Sequence, residues 1–374
     1  MILSRRSLIL SGVTAAAAGS FPGLAYAAAG TPKRLVFIMQ RGAADGLATV
    51  APTGDPAFAA ARRTLADETA GGARLDAMFT LHPSLAQIAG LYAGKQAHFA
   101  HAVATGYRDR SHFDGQNMLA GGGLHLYGRE DGWIGRLLPL LPAAERDAIA
   151  IAAATPLAPR GTVIPDTYAY SRLPRADADL IGRLTTFYHG GPLLQPLRDS
   201  AIRTRELAGN IGGNNGRNGA DLGTLAASLM RPEGGARVMT IETGGWDTHS
   251  GQRGRLGAQL YGLDQLIGAL RTGLGPAWSH TLAIVATEFG RAIEANSTGG
   301  TDHGTASAAM LLGGGLDNGG EVSADWPGLG AAARHEGQGL RPTRSLEIMV
   351  ANAVAHHYAL DPKRVMATLY PDIG

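Results

Sequence analysis

An α/β protein, with a largely parallel central sheet covered by helices on both faces, is the fold this sequence predicts. Three observations predict it. Six apolar runs have strand length, at 34–39, 97–104, 147–153, 238–241, 281–286 and 306–312. Most are continuously apolar rather than alternating, as strands buried on both faces are. Segments with helical spacing separate several of them, and many of the 54 glycines fall at their ends, as tight strand-to-helix loops require.

Taken in order, residues 1–27 read as an export leader. Ser4-Arg5-Arg6-Ser7 precedes a short, Ala-rich apolar run that ends in Ala25-Tyr26-Ala27, an A-x-A cleavage pattern. The paired arginines match the twin-arginine address of proteins exported already folded, which places the mature chain, 28–374, in the periplasm or outside the cell. An ordinary secretion leader is the duller reading. The run is broken by Gly12, Thr14 and Gly19, too short to span a bilayer, and no other stretch qualifies, so no membrane insertion is expected.

The run at 34–39 reads as a central strand that feeds the loop Gln40-Arg-Gly-Ala-Ala-Asp-Gly46. Residues 82–91 predict a helix, with Pro83 in its first turn and Leu85, Ile88 and Leu91 on one face. The strand at 97–104 carries His98 and His101, read as structural, and ends in a loop that crowds Arg108, Asp109, Arg110, Ser111, His112 and Asp114. A helix at 132–141 and a strand at 147–153 follow. From 156 to 232 the pattern changes to scattered Pro, Tyr and Arg and a glycine-asparagine run at 208–219, which predicts an inserted, mostly helical region with a mobile loop. The strand at 238–241 breaks on Gly244 and Gly245 into Asp247 and His249. Beyond Gly251, Leu256, Leu260, Leu263, Ile267 and Leu270 recur at helical spacing. The strand at 281–286 runs into Thr287-Glu-Phe-Gly-Arg291, and Thr301-Asp-His-Gly304 precedes the strand at 306–312. A last helix over 343–358 ends in His356-His357, where imidazolium suits the helix dipole.

Composition removes several functions. The 33 basic residues lose Arg5 and Arg6 with the leader, leaving 31 against 31 acidic ones, and no basic cluster remains to bind nucleic acid. The chain has no cysteine, which excludes disulfides, thiolate zinc sites and cysteine nucleophiles. No serine-hydrolase elbow, dinucleotide fingerprint or phosphate-binding P-loop occurs in a suitable context.

What remains is a set of loops at strand ends that carry Asp45, Ser111 with His112, Asp247 with His249, Glu288, and Asp302 with His303. Carboxylates and imidazoles are the donors a divalent metal needs where thiols are absent. Zinc fits this mixture first, with calcium, magnesium or manganese as alternatives. Two ions about 3.5 to 4 Å apart would stabilise the entering and leaving oxygens of a displacement at phosphorus or sulfur. Each residue has a plainer reading as well. Asp247 and Glu288 can cap helices, His249 can bond a loop carbonyl, Asp302 and Asp45 suit turns, and His303 can be a core histidine. Ser111-His-Phe-Asp114 matches a helix capping box, although a helix N-terminus also suits a serine attacking an anion. Arg108, Arg110 and Arg291 can grip an anionic group or simply sit at the surface.

Together Arg41-Gly-Ala-Ala-Asp45-Gly-Leu47, Arg110-Ser-His-Phe113, Gly244-Gly-Trp-Asp-Thr-His249, Thr287-Glu-Phe-Gly-Arg291 and Thr301-Asp-His-Gly304, behind the twin-arginine leader, resemble a bacterial family catalogued as domain of unknown function 1501. That family is placed in the alkaline phosphatase-like and sulfatase-like superfamily. The resemblance implies that fold over nearly the whole mature chain, with Asp247, His249 and His303 as one metal set, Asp45 and Glu288 as the other, and Ser111 where the nucleophile would be. Phe289 stands where the superfamily has an imidazole, and Asp247-Thr-His249 is closer spaced than its pattern. The function expected is an exported, metal-dependent hydrolase of phosphate or sulfate esters, small or polymer-borne, with one or two ions and Arg110 or Arg291 holding the anion. The alternative is a catalytically inactive binding protein for an anionic or polysaccharide ligand, with a co-exported partner.

Overall fold

The computed structural model of the protein describes residues 33–152, 154–168, 218–232 and 234–373. The leader at 1–27 and the centre of the expected insert, 169–217, lie outside the described residues. The strands are β1 (Arg34–Gln40), β2 (Val50–Ala51), β3 (Ala73–Arg74), β4 (Thr80–Leu81), β5 (Ala97–Ala104), β6 (Ala148–Ile151), β7 (Asp166–Tyr168), β8 (Val238–Thr243), β9 (Thr281–Thr287), β10 (Arg291–Ala295), β11 (Thr301–His303), β12 (Ser307–Leu312), β13 (Glu321–Ser323) and β14 (Arg344–Ser345).

The main sheet runs β13-β5-β12-β9-β1-β8-β6-β7, with β14 also on β5. β1 is parallel to β8 and β9, and β6 is parallel to β7 and β8. β12 departs from the parallel rule: it runs antiparallel to both β5 and β9. This reversal has a functional consequence. The C-terminal ends of β1, β8, β9 and β5 and the N-terminal end of β12 share one rim, as the pairs Gln40↔Thr243, Gln40↔Thr287 and Ser307↔Val103 fix.

The alternation of side chains along β1 explains the layers. Val36 and Ile38 join Met239, Ile241, Ala283 and Val285 in one core, while Leu35, Phe37 and Met39 join Val238, Leu282, Ile284 and Ala286 in the other. Both faces are covered. The first core is closed by the helices Ala86–Ala93, Gly219–Met230 and Gln252–Leu274, and the second by Trp133–Leu137, Leu346–Tyr358 and Pro362–Leu369. Each fully buried Leu, Ile or Phe contributes roughly 1.5–3 kcal/mol, so apolar burial chiefly holds the two helical layers to the sheet. The stripe Leu256, Leu260, Leu263, Ile267 and Leu270 is buried as its spacing requires.

Three helices differ in their bounds from the sequence expectation, each for a local reason. The helix expected at 82–91 begins at Ala86, where Asp264 of the long helix accepts from Gln87 N at 3.2 Å and Ile88 N at 2.9 Å. The helix expected at 132–141 is α-helical only over Trp133–Leu137 and tightens to a 3-10 turn at Leu138–Leu140, which contains Pro139. The helix expected at 343–358 begins at Leu346, after Ser345 accepts from Ile348 N at 3.1 Å. Within the stretch read as an insert, β7 extends the main sheet and the helix Gly219–Met230 packs on the long helix, so both flanks belong to the main core.

Candidate metal centre

Local sequence explains why these loops meet. β8 ends at Thr243, the exposed Gly244 and Gly245 follow, and Gly245 turns the chain at φ 87° toward Asp247. The loop after β1 passes so close that a Cβ on Gly42, at φ 123°, would lie 2.6 Å from Asp247 N. A Cβ on Gly300 would lie 2.2 Å from the His249 carbonyl carbon. β10 and β11 form an antiparallel pair in which Arg291 faces His303. Glu288 leaves the end of β9, and His112 is the first residue of the helix His112–Gly121.

The resulting cluster centres on Asp247. Its Oδ1 lies 3.1 Å from His249 Nε2 and 3.3 Å from His303 Nε2, and those two nitrogens are 3.0 Å apart. His112 Nε2 lies 3.4 Å from Asp247 Oδ2. A tetrahedral ion with bonds of about 2.0–2.1 Å needs donor atoms roughly 3.3 Å apart, which these separations approach. His112, Asp247 and His303 offer ligand atoms all within 4.8 Å of one another.

The tautomers decide what faces the centre. His112 Nδ1 is 2.9 Å from Glu288 Oε1, His249 Nδ1 is 3.2 Å from Asp302 Oδ1, and His303 Nδ1 is 3.0 Å from the Arg110 carbonyl oxygen. Oxygen acceptors require an N–H on each Nδ1, so each neutral ring turns the lone pair of Nε2 toward Asp247. His112 Nε2 is buried without a hydrogen-bond partner. Two imidazole lone pairs 3.0 Å apart beside a carboxylate repel unless a proton or a metal cation sits among them. The residues therefore fit a divalent ion with nitrogen and oxygen ligands.

The electrostatics follow from the same contacts. The hydrogen bond to Glu288, opposed in part by burial, raises His112, while burial and the charges of His112 and Arg291 lower His303. Burial pushes Asp247 up, but the bond and charge of Arg291 with the nearby imidazoles outweigh it and hold the carboxyl low. Burial likewise pushes Glu288 up, and bonds from His112, Gln116 and Gly42 overcome it. A bond from Asn296 chiefly lowers Asp302.

The structure thus brings Asp247, His249 and His303 together, with Ser111, Glu288, Asp302 and Arg291 around them. Several of the expected roles shift. Glu288 Oε1 accepts from Gly42 N at 2.8 Å, His112 Nδ1 at 2.9 Å and Gln116 Nε2 at 3.0 Å, so it orients His112 and its oxygen is filled. Asp302 orients His249 in the same way. Arg291 donates to Asp247 Oδ1 at 2.5 Å and binds Thr301 through both Oγ1 and the carbonyl oxygen, which leaves its guanidinium engaged with protein. Arg110 reaches Glu336 at 2.5 Å and serves His303 through its backbone, at a positive φ of 59°.

Asp45 lies apart from the cluster. It is fully buried, with Oδ1 accepting from Leu47 N and Ala48 N and Oδ2 from Arg62 Nη2 at 2.5 Å and Gln252 Nε2 at 2.7 Å. Its carboxylate caps a helix and pairs with a guanidinium, so no second set assembles from Asp45 and Glu288. Phe289 stacks on His112, ring centroids 5.1 Å apart. Ser111 is the N-cap of its helix, yet its side chain makes no capping bond, contrary to the capping-box pattern. Sequence reasoning named His112 among the loop imidazoles but left it out of both metal sets, and it passed over Asn296, which supports Asp302 and the His249 carbonyl. The spacing of His112 and Gln116, one helical turn apart, is the signal that could have found the first.

A cavity of about 680 Å³ opens beside the loop that ends at Asp247, lined by Glu242, Thr243, Gly244 and Trp246 of that loop and by Gln259 and Tyr261 of the long helix.

No curated protein matches the chain. Among solved structures, the chain is similar to Ps i-CgsB in complex with k-i-k-neocarrahexaose, at 10% identity over 91% of this chain and 76% of that one, with a TM-score of 0.38. It is also similar to the C-terminal periplasmic domain of EcEptC from Escherichia coli in complex with Zn, at 6% identity over 75% and 73% of the two chains, TM-score 0.38. A third is the phosphonate monoester hydrolase of Agrobacterium radiobacter, at 10% identity over 78% and 70%, TM-score 0.36. Similarity at this level assigns no activity. Residues 197–369 match the model of a family described as protein of unknown function (DUF1501), the family that the chain's motifs resemble.

Proposed function

We propose that this protein is an exported, metal-dependent hydrolase of phosphate or sulfate esters that uses one divalent ion, zinc first among the candidates. One observation supports this above the others: three histidines, each tied at Nδ1 to an oxygen, turn Nε2 toward the single carboxylate of Asp247. His249, His303 and Asp247 would hold the ion, with His112 completing the set. The count of one rests on Arg62, whose guanidinium already neutralises Asp45 where a second ion would need that carboxylate. When bound, the ion would supply positive charge to an ester oxygen at the rim.

The chain's own groups fill the remaining roles. Ser111 would present its hydroxyl, uncommitted to capping, beside His112 at the start of a ten-residue helix. The first-turn N–H groups there favour an anion. The neighbouring cavity would receive the alcohol portion of the ester, small or polymer-borne. Export rests on the paired arginines and the A-x-A pattern of the leader.

Metal analysis of folded, exported protein, with turnover of aryl phosphates and aryl sulfates before and after chelation, tests this reading. About one equivalent of metal and chelator-sensitive turnover lost in Ser111→Ala are the expected results. Protein free of metal and indifferent to chelator would sink it. A second reading, a binding protein without turnover, is favoured by Arg110 and Arg291, both engaged with protein groups instead of facing outward. Bound metal with no hydrolysis across the panel would select it.

A further inference from the structure

Beneath the cluster lies a buried amide that the proposed reaction does not use. Gln252 opens the long helix and is fully buried on the stripe that continues as Leu256 and Leu260. A polar side chain on an apolar stripe costs free energy unless it is paired, and this one is paired at both ends. Its Oε1 accepts from Thr248 Oγ1 at 3.0 Å and Thr301 Oγ1 at 2.6 Å. Its Nε2 donates to Asp45 Oδ2 at 2.7 Å and lies 3.4 Å from Glu68 Oε2.

The two threonines are the point. Thr248 sits between Asp247 and His249, and Thr301 stands two residues before His303. Thr301 N donates to the Thr248 carbonyl at 3.2 Å, and Thr301 Oγ1 also meets Arg291, which reaches Asp247. One amide therefore touches both ligand-bearing segments, and the buried Arg62–Asp45 pair at 2.5 Å fixes its other end.

We propose that Gln252 is a positioning residue for the metal centre: it clamps the Asp247–His249 loop to the strand that carries His303, so that their donor atoms stay at coordinating separations. This inference rests on the metal reading above. The threonine hydroxyls spend their protons on Oε1, and Oε1 keeps its direction because Nε2 is held by Asp45. Loss of the amide removes one tie between the two segments, beside the Thr301 N bond to the Thr248 carbonyl, without removing any ligand.

Zinc titration of the chelator-stripped full chain tests the clamp, together with the melting temperatures of stripped and zinc-loaded protein. Gln252→Leu is expected to weaken zinc binding roughly 10- to 100-fold, the range for outer partners of metal ligands. Thr248→Val should lose less, and the double variant should lose less than the two combined, because the hydroxyl acts through the amide. The zinc-induced rise in melting temperature should shrink in Gln252→Leu. A merely structural role would lower both melting temperatures equally and leave the rise unchanged. Zinc affinity of Gln252→Leu within about twofold of the parent overturns the clamp while leaving the metal reading intact. If Gln252→Leu fails to fold, unchanged affinity in Thr248→Val, which removes one hydroxyl at constant shape, overturns it. A parent chain that binds no zinc overturns the metal reading itself, and the clamp with it.

Discussion

Asp45 and Asp247 both leave sheet strands through glycine loops at the same rim, yet their carboxylates meet opposite surroundings. Asp45 is fully buried among two backbone N–H groups, a guanidinium and an amide, and every partner is a donor. Asp247, its side chain 42% exposed, meets one guanidinium and three imidazole nitrogens, of which the imidazoles can turn lone pairs inward. The first carboxylate has its charge partner and donors within the protein and serves stability. The second is complete only when a cation or protons are added, and that incompleteness is what makes it a candidate for chemistry.

The comparison breaks most visibly at Arg62. Removing one partner of a buried ion pair leaves an uncompensated charge and costs about 3–5 kcal/mol. Glu68, pushed up to about 7 by burial and the Asp45 charge against the opposing pull of Arg62, shows how little room for charge the site has. Arg62→Ala should therefore lower the unfolding free energy of metal-free protein by that amount in denaturant titration. A loss below about 1 kcal/mol, the scale of an exposed pair, would mean that water reaches the site.

His249→Ala sharpens the contrast from the other side. Its side chain is 46% exposed, so stability should change little, while zinc affinity should fall at least about 100-fold, beyond what outer partners alone cost. Calorimetric titration against the parent would check it. Equal loss of stability in the two variants would erase the distinction between the regions.

His112 adds a pH signature. Its folded pKa is raised above 6.5, mainly by the bond to Glu288, so folding favours the imidazolium. The stability it contributes is full below 6.5 and fades as pH rises through the raised value. Glu288, held low, contributes the same interaction from its own side, lost only as pH falls through its depressed pKa. Metal-free parent should exceed His112→Gln in melting temperature near pH 6 and converge with it at alkaline pH. Zinc affinity should run the other way, rising through the same range as Nε2 gives up its proton. A flat zinc profile would remove His112 from the ligand set.

How much of this was legible depended on whether the decisive contact was local. The strands announce themselves because burial on both faces leaves continuous apolar runs, and β5 keeps the bounds its composition predicts. The rim follows, since loops at strand ends carry the polar residues. The reversal of β12 does not, because an apolar run has no direction. Nor does the fate of Asp45: Ala-Asp-Gly reads the same as turn, cap or ligand, and Arg62 comes from a different segment, in contact only through the fold. Gln252 did leave a trace. It lies four residues before Leu256 on the buried stripe, and an amide at an apolar position asks for partners.

The smallest effect belongs to Asp302. Its Oδ1 lies 3.2 Å from His249 Nδ1 and accepts from Asn296 Nδ2 at 3.1 Å, and its side chain is 64% exposed. Solvent screens this pair, so its energy is modest, but a carboxylate partner also makes the ring a better donor to a cation. Asp302→Asn keeps an oxygen of the same shape and removes only the charge. Zinc affinity should fall roughly 10-fold, at the weak end of the range for outer partners, with no change in melting temperature of the metal-free chain. The loss should narrow in high salt, where the parent carboxylate is screened as well. Equal zinc affinity in Asp302→Asn and the parent at low salt would leave Asp302 as a turn residue and His249 oriented by its backbone contacts with Asn296 and Thr298 alone.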